Sequence, residues 1–363
     1  MKQFQAFQGN AEIFKWGPIP GRYFYVSEFE DAIFKEYQNF YQGERWPNTL
    51  ILFREKIMVW ANDANGLKRA GREVFLQNMV KESVRTKLRS QWDTTVKKLS
   101  EVERKIGDAF LEDLTDEELH ALWQDFYKLI IEFWLPTIPA ELGSYGSAEL
   151  LKEALKKCVK NEEEIASITE ILTAPGKLSF NQEEEIDLTK TKDIEKHAQK
   201  YFWLRNGYNG VENLSIDFFL KRRKELSVDV KKLMDERLIG VKNKKGKVSR
   251  KYNLPKEVKE MAKALCESLE WQDERKKQVL IYTHYKELFL KEIARRFDYN
   301  VDLLRNCSTR ENLQILEKRG VHTLVENRKK LFGFFMDPLK KDIIGDEAEF
   351  CWGHYAEGNT KIE

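Results

Sequence analysis

Apolar residues recur along most of the chain at spacings of three and four, which is the period of an amphipathic helix. The longest such stretch runs from Leu67 to Leu111 and contains no proline. Its apolar positions form one continuous stripe: Val84, Leu88, Trp92, Val96, Leu99, Val102 and Ile106. This stripe predicts a single long helix.

Two further helix starts are predicted from capping boxes, in which Ser or Thr is followed three residues later by Glu. Thr115 and Glu118 begin one helix, and Pro136 ends it because proline lacks the backbone donor that the helix needs. Ser308 and Glu311 begin the other. The apolar pattern also predicts helices over residues 147–160, 162–172 and 212–237, and either a long helical pair or one long helix over 256–297.

The first 30 residues depart from this pattern. They are rich in aromatic residues and are interrupted at Gly17-Pro18 and Pro20-Gly21. Ile13–Trp16 and Tyr23–Ser27 flank these pairs and are compatible with a short β-hairpin.

We therefore predict a mainly all-α fold, an elongated array of long antiparallel helices, in which an N-terminal hairpin is the only β element. The pattern divides the chain into an aromatic-rich segment at 1–30, a first helical part at 31–175, a second helical part at 176–340 and a loose C-terminal tail at 341–363.

The composition narrows the classes of partner. The 363 residues contain 62 Lys and Arg against 60 Asp and Glu, so the formal net charge is only +2. This balance gives no argument for a nucleic-acid or membrane partner. The four cysteines form no CxxC pair, and the N-terminus has no apolar signal core. These features predict a cytoplasmic protein with reduced thiols.

No familiar catalytic motif is present. The chain lacks GxxxxGK, GxGxxG, HExxH and GxSxG, and none of its five histidines has a partner at metal-ligand spacing. The acidic run at 183–185 either begins a helix or holds Mg²⁺, and the first interpretation is favoured because adjacent carboxylates on a helix point in different directions. The sequence therefore predicts no metal site and leaves open whether the chain is an enzyme.

The segment from His197 to Tyr208 carries the strongest candidate chemistry. It combines aromatic rings that have polar ends with His and Asn side chains that can hydrogen-bond a ligand. The alternative, favoured on residue types alone, is a buried helix end followed by a turn at Asn206-Gly207. The substrate-binding candidates of this segment are His197, Tyr201, Trp203, Asn206 and Tyr208.

Three more candidates lie later in the chain: Arg275, His284 and Arg328. Arg275 falls on the apolar face of the helix predicted at 256–297, where a guanidinium needs a counterion or an anionic ligand. We predict that Arg275 and His284 face the His197–Tyr208 segment across a pocket. Arg275 would hold an anionic group there, and Trp203 and Tyr208 would stack on a planar small molecule.

Several segments, in their order and separation, resemble one protein family. They are Leu172–Leu188, His197–Tyr208, Glu274–Tyr285, Ala294–Phe297, Leu303–Glu311 and Glu326–Lys330. Together they resemble the helical central region of phosphoenolpyruvate-utilising phosphotransferases, especially phosphoenolpyruvate synthase, rifampicin phosphotransferase and uncharacterised proteins that carry the mobile-region domain. The resemblance covers roughly residues 110–350.

The resemblance implies a phosphotransferase made of an ATP-grasp module, a swivelling domain with a phosphohistidine, and this central region. ATP, Mg²⁺ and phosphoenolpyruvate or pyruvate are implied only for complete family members. This chain has no ATP-grasp signature and no histidine in a Gly/Ser-rich loop, and Gly345–Ala348 resembles the approach to the swivelling domain. We therefore predict a substrate-binding or docking module that has no cofactor of its own and is not catalytic alone. The swivelling domain would be missing, or would act in cis or in trans.

Two other functions fit parts of the sequence. Long amphipathic helices with mixed charge also suit a non-enzymatic interaction scaffold. The basic loop predicted at Lys242–Lys251 could instead contact nucleic acid. The balanced net charge and the absence of an aromatic residue in that loop argue against nucleic acid.

Overall fold

The computed structural model describes residues 6–7, 11–36, 40–226, 229–317, 321–337 and 339–357. The strands are β1 (Ile13–Pro20), β2 (Thr49–Arg54), β3 (Ile57–Asp63), β4 (Leu331–Asp337) and β5 (Leu339–Ile344). The helices are α1 (Tyr23–Asp31), α2 (Ala64–Val74), α3 (Glu82–Asp108), α4 (Asp116–Trp134), α5 (Ile138–Leu142), α6 (Ser147–Leu155), α7 (Glu162–Thr173), α8 (Phe180–Lys190), α9 (Ile194–Lys200), α10 (Ile216–Glu225), α11 (Val230–Lys251), α12 (Lys256–Phe297), α13 (Val301–Leu304), α14 (Thr309–Leu316), α15 (His322–Asn327) and α16 (Gly345–Cys351).

The all-α prediction is wrong, although helices dominate. Five antiparallel strands form one sheet in the order β1-β3-β2-β4-β5, which joins strands from the two ends of the described chain. The predicted hairpin does not form, because Tyr23–Ser27 lies in α1 and β1 pairs with β3 instead. The central strand β2 is buried on both faces. Its apolar residues therefore form a continuous run without the alternation that identifies a half-exposed strand.

The two faces of the sheet are covered differently. Ile51, Trp60 and Phe334 point to the large helical core, which is built on α1, α3, α4 and α12. Leu52 and Val59 point to the other face, where α16 and the turn that follows it form a smaller apolar cluster. The segment 341–363, predicted as a loose tail, thus supplies part of β5 and a helix that packs on the sheet over its described residues.

The helical predictions for the middle of the chain are largely confirmed. The apolar stripe lies in the 27-residue helix α3, but the stretch from Leu67 to Leu111 is not one helix, because it is divided between α2 and α3. Both capping boxes form, at the starts of α4 and α14. The region predicted over 256–297 is the single 42-residue helix α12. This helix packs against α3, α5, α6 and α7 and is the central element of the helical body.

The basic segment 242–251 is not a loop but the C-terminal half of α11. The region predicted as one helix over 212–237 is instead divided between α10 and the first part of α11. No helix of the described residues combines the length and the apolar character that crossing a membrane requires.

Candidate functional site

A cavity of about 190 Å³ lies where the helical face of the sheet meets α1, α5 and α12. Nine of its twelve lining residues are aromatic, and the other three are an apolar, an acidic and a basic residue. We call it the aromatic cavity. Its lining consists of Phe14, Trp16, Tyr25, Val26, Phe29, Trp46, Trp60, Trp134, Glu141, Tyr145, Tyr208 and Arg275.

The sheet supplies one wall of the aromatic cavity. Trp16 on β1 is directly opposite Trp60 on β3, so both rings stand on the same face, together with Phe14 two residues earlier. The pairing register shifts directly after Trp16, at Gly17, which has a φ of +102°. A Cβ at Gly17 would lie 2.6 Å from the Met58 carbonyl oxygen, so a glycine is required for this irregular turn. The Trp16 side chain is 41% exposed and lies at the mouth of the cavity.

A tight turn brings Tyr208 to the same mouth. Gly207 and Gly210 exchange backbone hydrogen bonds of 3.0 and 3.1 Å, which places Tyr208 within the turn. The backbone N–H of Arg22 donates to the Tyr208 carbonyl at 2.8 Å and ties the turn to the start of α1. The Tyr208 ring meets the Trp16 ring edge-on, with the centroids 5.8 Å apart. These two rings therefore form the rim of the cavity.

The polar part of the wall is an ion pair between α12 and α5. Nη1 of Arg275 lies 2.5 Å from Oε2 of Glu141, and the two side chains are 11% and 22% exposed. The guanidinium carbon also lies 4.9 Å from the centroid of the Trp134 ring. Burial lowers the pKa of Arg275, but Glu141 and Tyr208 more than offset this effect and raise it overall. Arg275 is therefore a permanent cation beside an aromatic face.

This ion pair leaves hydrogen-bonding capacity unused. Nε and Nη1 of Arg275 and Oε2 of Glu141 are buried, and none makes a hydrogen bond of good geometry to the described residues. The short distance between Nη1 and Oε2 pairs their charges closely, whereas Nε of Arg275 has no hydrogen-bond partner among the described residues. Buried polar groups are normally hydrogen-bonded, and each one left unsatisfied costs about 1–3 kcal/mol. The wall can thus offer donors and an acceptor, side by side, to a bound molecule.

Two of the eight sequence candidates, Tyr208 and Arg275, come together in the aromatic cavity. Three others lie in a separate apolar cluster around α8, α9 and α10. We call it the His197 cluster; it contains His197 with Phe180, Leu188, Tyr201, Trp203, Leu204, Phe219 and Leu280.

Most polar groups of the His197 cluster have partners within the protein; the exception is His197 Nδ1, which lies 3.7 Å from Oδ2 of Asp187 and makes no hydrogen bond to the described residues. His197 Nε2 lies 3.1 Å from Oε1 of Glu184, and Nε of Arg222 donates to the other Glu184 oxygen at 2.9 Å. The indole N–H of Trp203 donates to the Lys200 carbonyl at 3.1 Å. The Tyr201 ring packs on the His197 ring at 4.6 Å. These side chains connect α8, α9 and α10, and they do not line the aromatic cavity.

Asn206 and His284 also lie outside the cavity lining. Asn206 is buried, and its Nδ2 donates to the Leu280 carbonyl at 2.9 Å, which anchors the turn before Tyr208 to α12. The His284 ring packs on Phe202 at 4.6 Å, and burial lowers its pKa. Asn206 therefore supports the site indirectly, because it holds the chain that leads to Tyr208.

Arg328 is buried at a different place, behind β4. Its Nη1 donates to Oε2 of Glu311 at 2.8 Å, and its guanidinium carbon lies 4.9 Å from the centroid of the Phe334 ring. Glu311 also accepts from the backbone N–H of Ser308 at 2.7 Å, as the capping box requires. This Arg–Glu pair joins α14 to the end of α15. Like Arg275 and Glu141 it combines a buried arginine with a glutamate, but it does not line the aromatic cavity.

Sequence reasoning missed Trp16, Trp46, Trp60, Trp134 and Glu141, which are five of the twelve lining residues. The aromatic-rich character of the first 30 residues was one signal, but it did not show which rings face a common space. Among the described residues, no group of three or more His, Cys, Asp or Glu side chains is arranged to hold a metal ion.

Comparison of the chain with known protein families, with curated proteins and with solved structures found no match in any of the three. The resemblance to phosphoenolpyruvate-utilising enzymes thus stays a prediction from the sequence motifs.

Proposed function

We propose that this protein binds a small planar heteroaromatic molecule in the aromatic cavity. The observation that carries the proposal is the Arg275–Glu141 pair, whose buried polar atoms lack well-formed hydrogen bonds and line a space walled by aromatic rings. A ligand that supplied these bonds would remove an energetic cost that the free protein carries.

The composition of the wall indicates the class of ligand. Arg275 and Glu141 neutralise each other, so a net charge on the ligand would meet no uncompensated counterion at this wall. Donors from Arg275 next to an acceptor from Glu141 match a ligand edge that carries an acceptor beside a donor, as a cyclic amide does. The surrounding rings favour a flat partner.

The size of the cavity limits the ring system. A cavity of about 150 Å³ accommodates a benzene molecule. The volume of about 190 Å³ therefore suits one ring or a compact fused pair. The anionic small molecule expected from the sequence is less suitable, because Glu141 occupies the position of the anion beside Arg275.

The family resemblance adds a wider proposal. In a phosphoenolpyruvate-utilising phosphotransferase, the cavity would hold the acceptor, and separate ATP-grasp and phosphohistidine domains would supply the phosphoryl group. This chain would then act as the acceptor-binding module and would not be catalytic alone. The unsatisfied polar wall lies beside an open space lined by aromatic rings, which a helical scaffold without a ligand does not need, and this is why we favour the binding function.

The proposal can be tested by titrating the full chain with quinolin-2-one, a fused pair of rings with a cyclic-amide edge, and with its N-methyl derivative. Binding would be followed by calorimetry and by tryptophan fluorescence. We expect quinolin-2-one to bind, and the N-methyl compound to bind at least tenfold more weakly, because it cannot donate to Glu141.

A matched pair of double variants locates the site. Glu141→Gln with Arg275→Gln should abolish the preference for quinolin-2-one over its N-methyl derivative. Glu311→Gln with Arg328→Gln changes a buried pair of the same type outside the cavity and should keep the preference. Absence of binding to the wild-type chain at millimolar ligand, or an equal loss in both folded double variants, would contradict the proposal.

A further inference from the structure

A second cavity of about 200 Å³ adjoins the aromatic cavity. It lies between the start of β1, α2 and the beginning of α6. Phe14 and Tyr145 line both cavities, and their rings meet edge to face with the centroids 5.2 Å apart. These two rings are therefore the partition between the two spaces.

The partition is formed by two side chains at the margin of the main core. Phe14 lies on β1, an edge strand that is paired on one side only. Tyr145 lies in the turn between α5 and α6, directly before Gly146, which has a φ of +81°. Both side chains are only partly buried. Rotation of partly exposed side chains is fast, so either ring can turn aside when a ligand occupies the junction.

The second cavity differs in character from the first. Its inner lining is apolar and consists of Ile13, Ala64, Leu67 and Ala148 with the two partition rings. Its charged residues are Glu12, Lys68 and Glu149, of which the two carboxylates are exposed to solvent. An aliphatic group fits such a lining, because it buries its surface against the apolar side chains and needs no hydrogen-bond partner.

We infer that the two cavities form one bipartite site, whose ligand is a heteroaromatic ring that carries an aliphatic chain. The inference rests on the proposed function and specifies its ligand further. Ligand sites usually measure about 300–1,000 Å³, and the aromatic cavity alone, at about 190 Å³, falls below this range. Together with the second cavity of about 200 Å³, the volume of the site reaches this range. Phe14 and Tyr145 then fix the point at which the ring ends and the chain begins.

The experiment compares quinolin-2-one with derivatives that carry a butyl chain at each ring position in turn. Affinities for the full chain would be measured by calorimetry. We expect one position of attachment to raise the affinity at least tenfold, since each buried methylene contributes about fourfold. The other positions direct the chain against the cavity wall or into solvent and should give no gain.

Two substitutions on α6 show whether the gain in affinity depends on the second cavity or is affected by any leucine added to this helix. Ala148→Leu fills the cavity and should remove the gain from the chain, while the affinity for unsubstituted quinolin-2-one stays within twofold. Lys152→Leu adds a leucine to the exposed side of the same helix and should keep the gain. Phe14→Ala removes half of the partition and should admit a phenyl-terminated chain that the wild-type protein rejects.

The outcomes separate the two proposals. If quinolin-2-one binds but no butyl position improves its affinity by more than twofold, the bipartite site is wrong and the proposed function stands. An equal loss of the gain in Ala148→Leu and Lys152→Leu would also overturn the bipartite site. If neither the parent compound nor any derivative binds to the wild-type chain, the proposed function fails and the bipartite site fails with it.

Discussion

Two regions of the molecule combine tryptophan and tyrosine rings with a carboxylate and a basic group: the aromatic cavity and the His197 cluster. In the cavity, the rings surround a space of about 190 Å³, and the Arg275–Glu141 pair lacks well-formed hydrogen bonds. In the His197 cluster, the rings pack on one another, and both oxygens of Glu184 have partners. The same residue types thus serve as a ligand wall in one place and as a core in the other.

The difference shows which property separates a binding surface from a packed core. Aromatic content does not, because both regions are rich in rings. The combination of polar groups that lack well-formed hydrogen bonds with an open space beside them does, because an unsatisfied atom such as His197 Nδ1 is surrounded by packed rings, whereas Arg275 and Glu141 line a cavity.

The largest expected effect comes from removing a tryptophan from each region. Trp203→Ala should lower the free energy of unfolding by about 3–5 kcal/mol, because it leaves a void in a close-packed cluster. Trp16→Ala should cost less than about 1.5 kcal/mol, because Trp16 is 41% exposed at the mouth of the cavity. Denaturant-induced unfolding followed by circular dichroism measures both values.

The same pair should behave in the opposite way toward ligand. Trp16→Ala should weaken the binding of quinolin-2-one by up to about tenfold, because the ligand loses a ring contact. Trp203→Ala should leave the affinity unchanged under conditions in which the variant is folded. A Trp203 variant that lost ligand affinity while folded would place the site in the His197 cluster, and the distinction between the regions would be wrong.

Glu103 on α3 tests whether an unsatisfied buried group is sufficient to identify a site. It is 4% exposed, its Oε1 has no hydrogen-bond partner among the described residues, and burial raises its pKa from 4.5 to about 8. It does not line the aromatic cavity. We expect Glu103 to act only as a source of instability, because it lies outside the aromatic cavity.

The pH dependence of Glu103 follows from this pKa. Below about pH 4.5 the carboxyl is protonated in both the folded and the unfolded chain. Between about pH 4.5 and 8 the unfolded chain ionises and the folded chain does not, so the free energy of unfolding falls as the pH rises. Glu103→Gln should therefore be more stable than the wild type by about 2–4 kcal/mol at pH 8, and equally stable near pH 4.5.

The matched control is Glu101→Gln, which removes an exposed carboxyl from the same helix. It should leave the pH dependence of the wild type unchanged. Unfolding curves for the three proteins at pH 4.5, 6 and 8 would decide the question. If the free energy of unfolding of Glu103→Gln equalled that of the wild type at every pH, the folded protein would stabilise the ionised Glu103 carboxylate through a partner outside the contacts described.

The third prediction compares two buried Arg–Glu pairs. The double substitution Glu141→Gln with Arg275→Gln should change the free energy of unfolding by less than about 1 kcal/mol, since the pair makes few good hydrogen bonds to lose. The double substitution Glu311→Gln with Arg328→Gln should cost about 2 kcal/mol, because Arg328 has good bonds to lose. Denaturant unfolding at neutral pH measures both. Equal losses in the free energy of unfolding would mean that the Arg275–Glu141 pair is a structural element, as the Arg328–Glu311 pair is.

The sequence predicted the helical body well because its signals are local. The apolar stripe of α3 and the two capping boxes involve residues that are neighbours along the chain. The sheet could not be predicted in the same way, because β2 pairs with β4 across more than 270 residues and both strands are largely apolar throughout. The rings of the cavity come from distant segments for the same reason. Tyr208 and Arg275 were predicted from residue type and helical register, but the partners that give them a role become neighbours only in the fold.

The smallest expected effect concerns two tyrosine hydroxyls. Burial raises the pKa of both Tyr208 and Tyr201, so both are neutral at pH 7. The Tyr208 hydroxyl makes no hydrogen bond to the described residues, whereas the Tyr201 hydroxyl is close enough to the paired Asp187 and Lys200 side chains for both to affect its pKa. Tyr208→Phe should thus leave the free energy of unfolding within about 0.5 kcal/mol of the wild type, and Tyr201→Phe should lower it by about 1 kcal/mol.

Ligand binding by the same two variants shows whether Tyr208 acts through its ring or through its hydroxyl. If it acts through its ring, Tyr208→Phe should keep the affinity for quinolin-2-one within threefold, and Tyr208→Ala should lose about tenfold. A loss of more than tenfold in Tyr208→Phe would instead show that the hydroxyl bonds the ligand, and the polar wall would then extend from Arg275 and Glu141 to the mouth of the cavity. Tyr201→Phe should not change the affinity in either case, because its hydroxyl already has partners and its ring lies in the packed cluster.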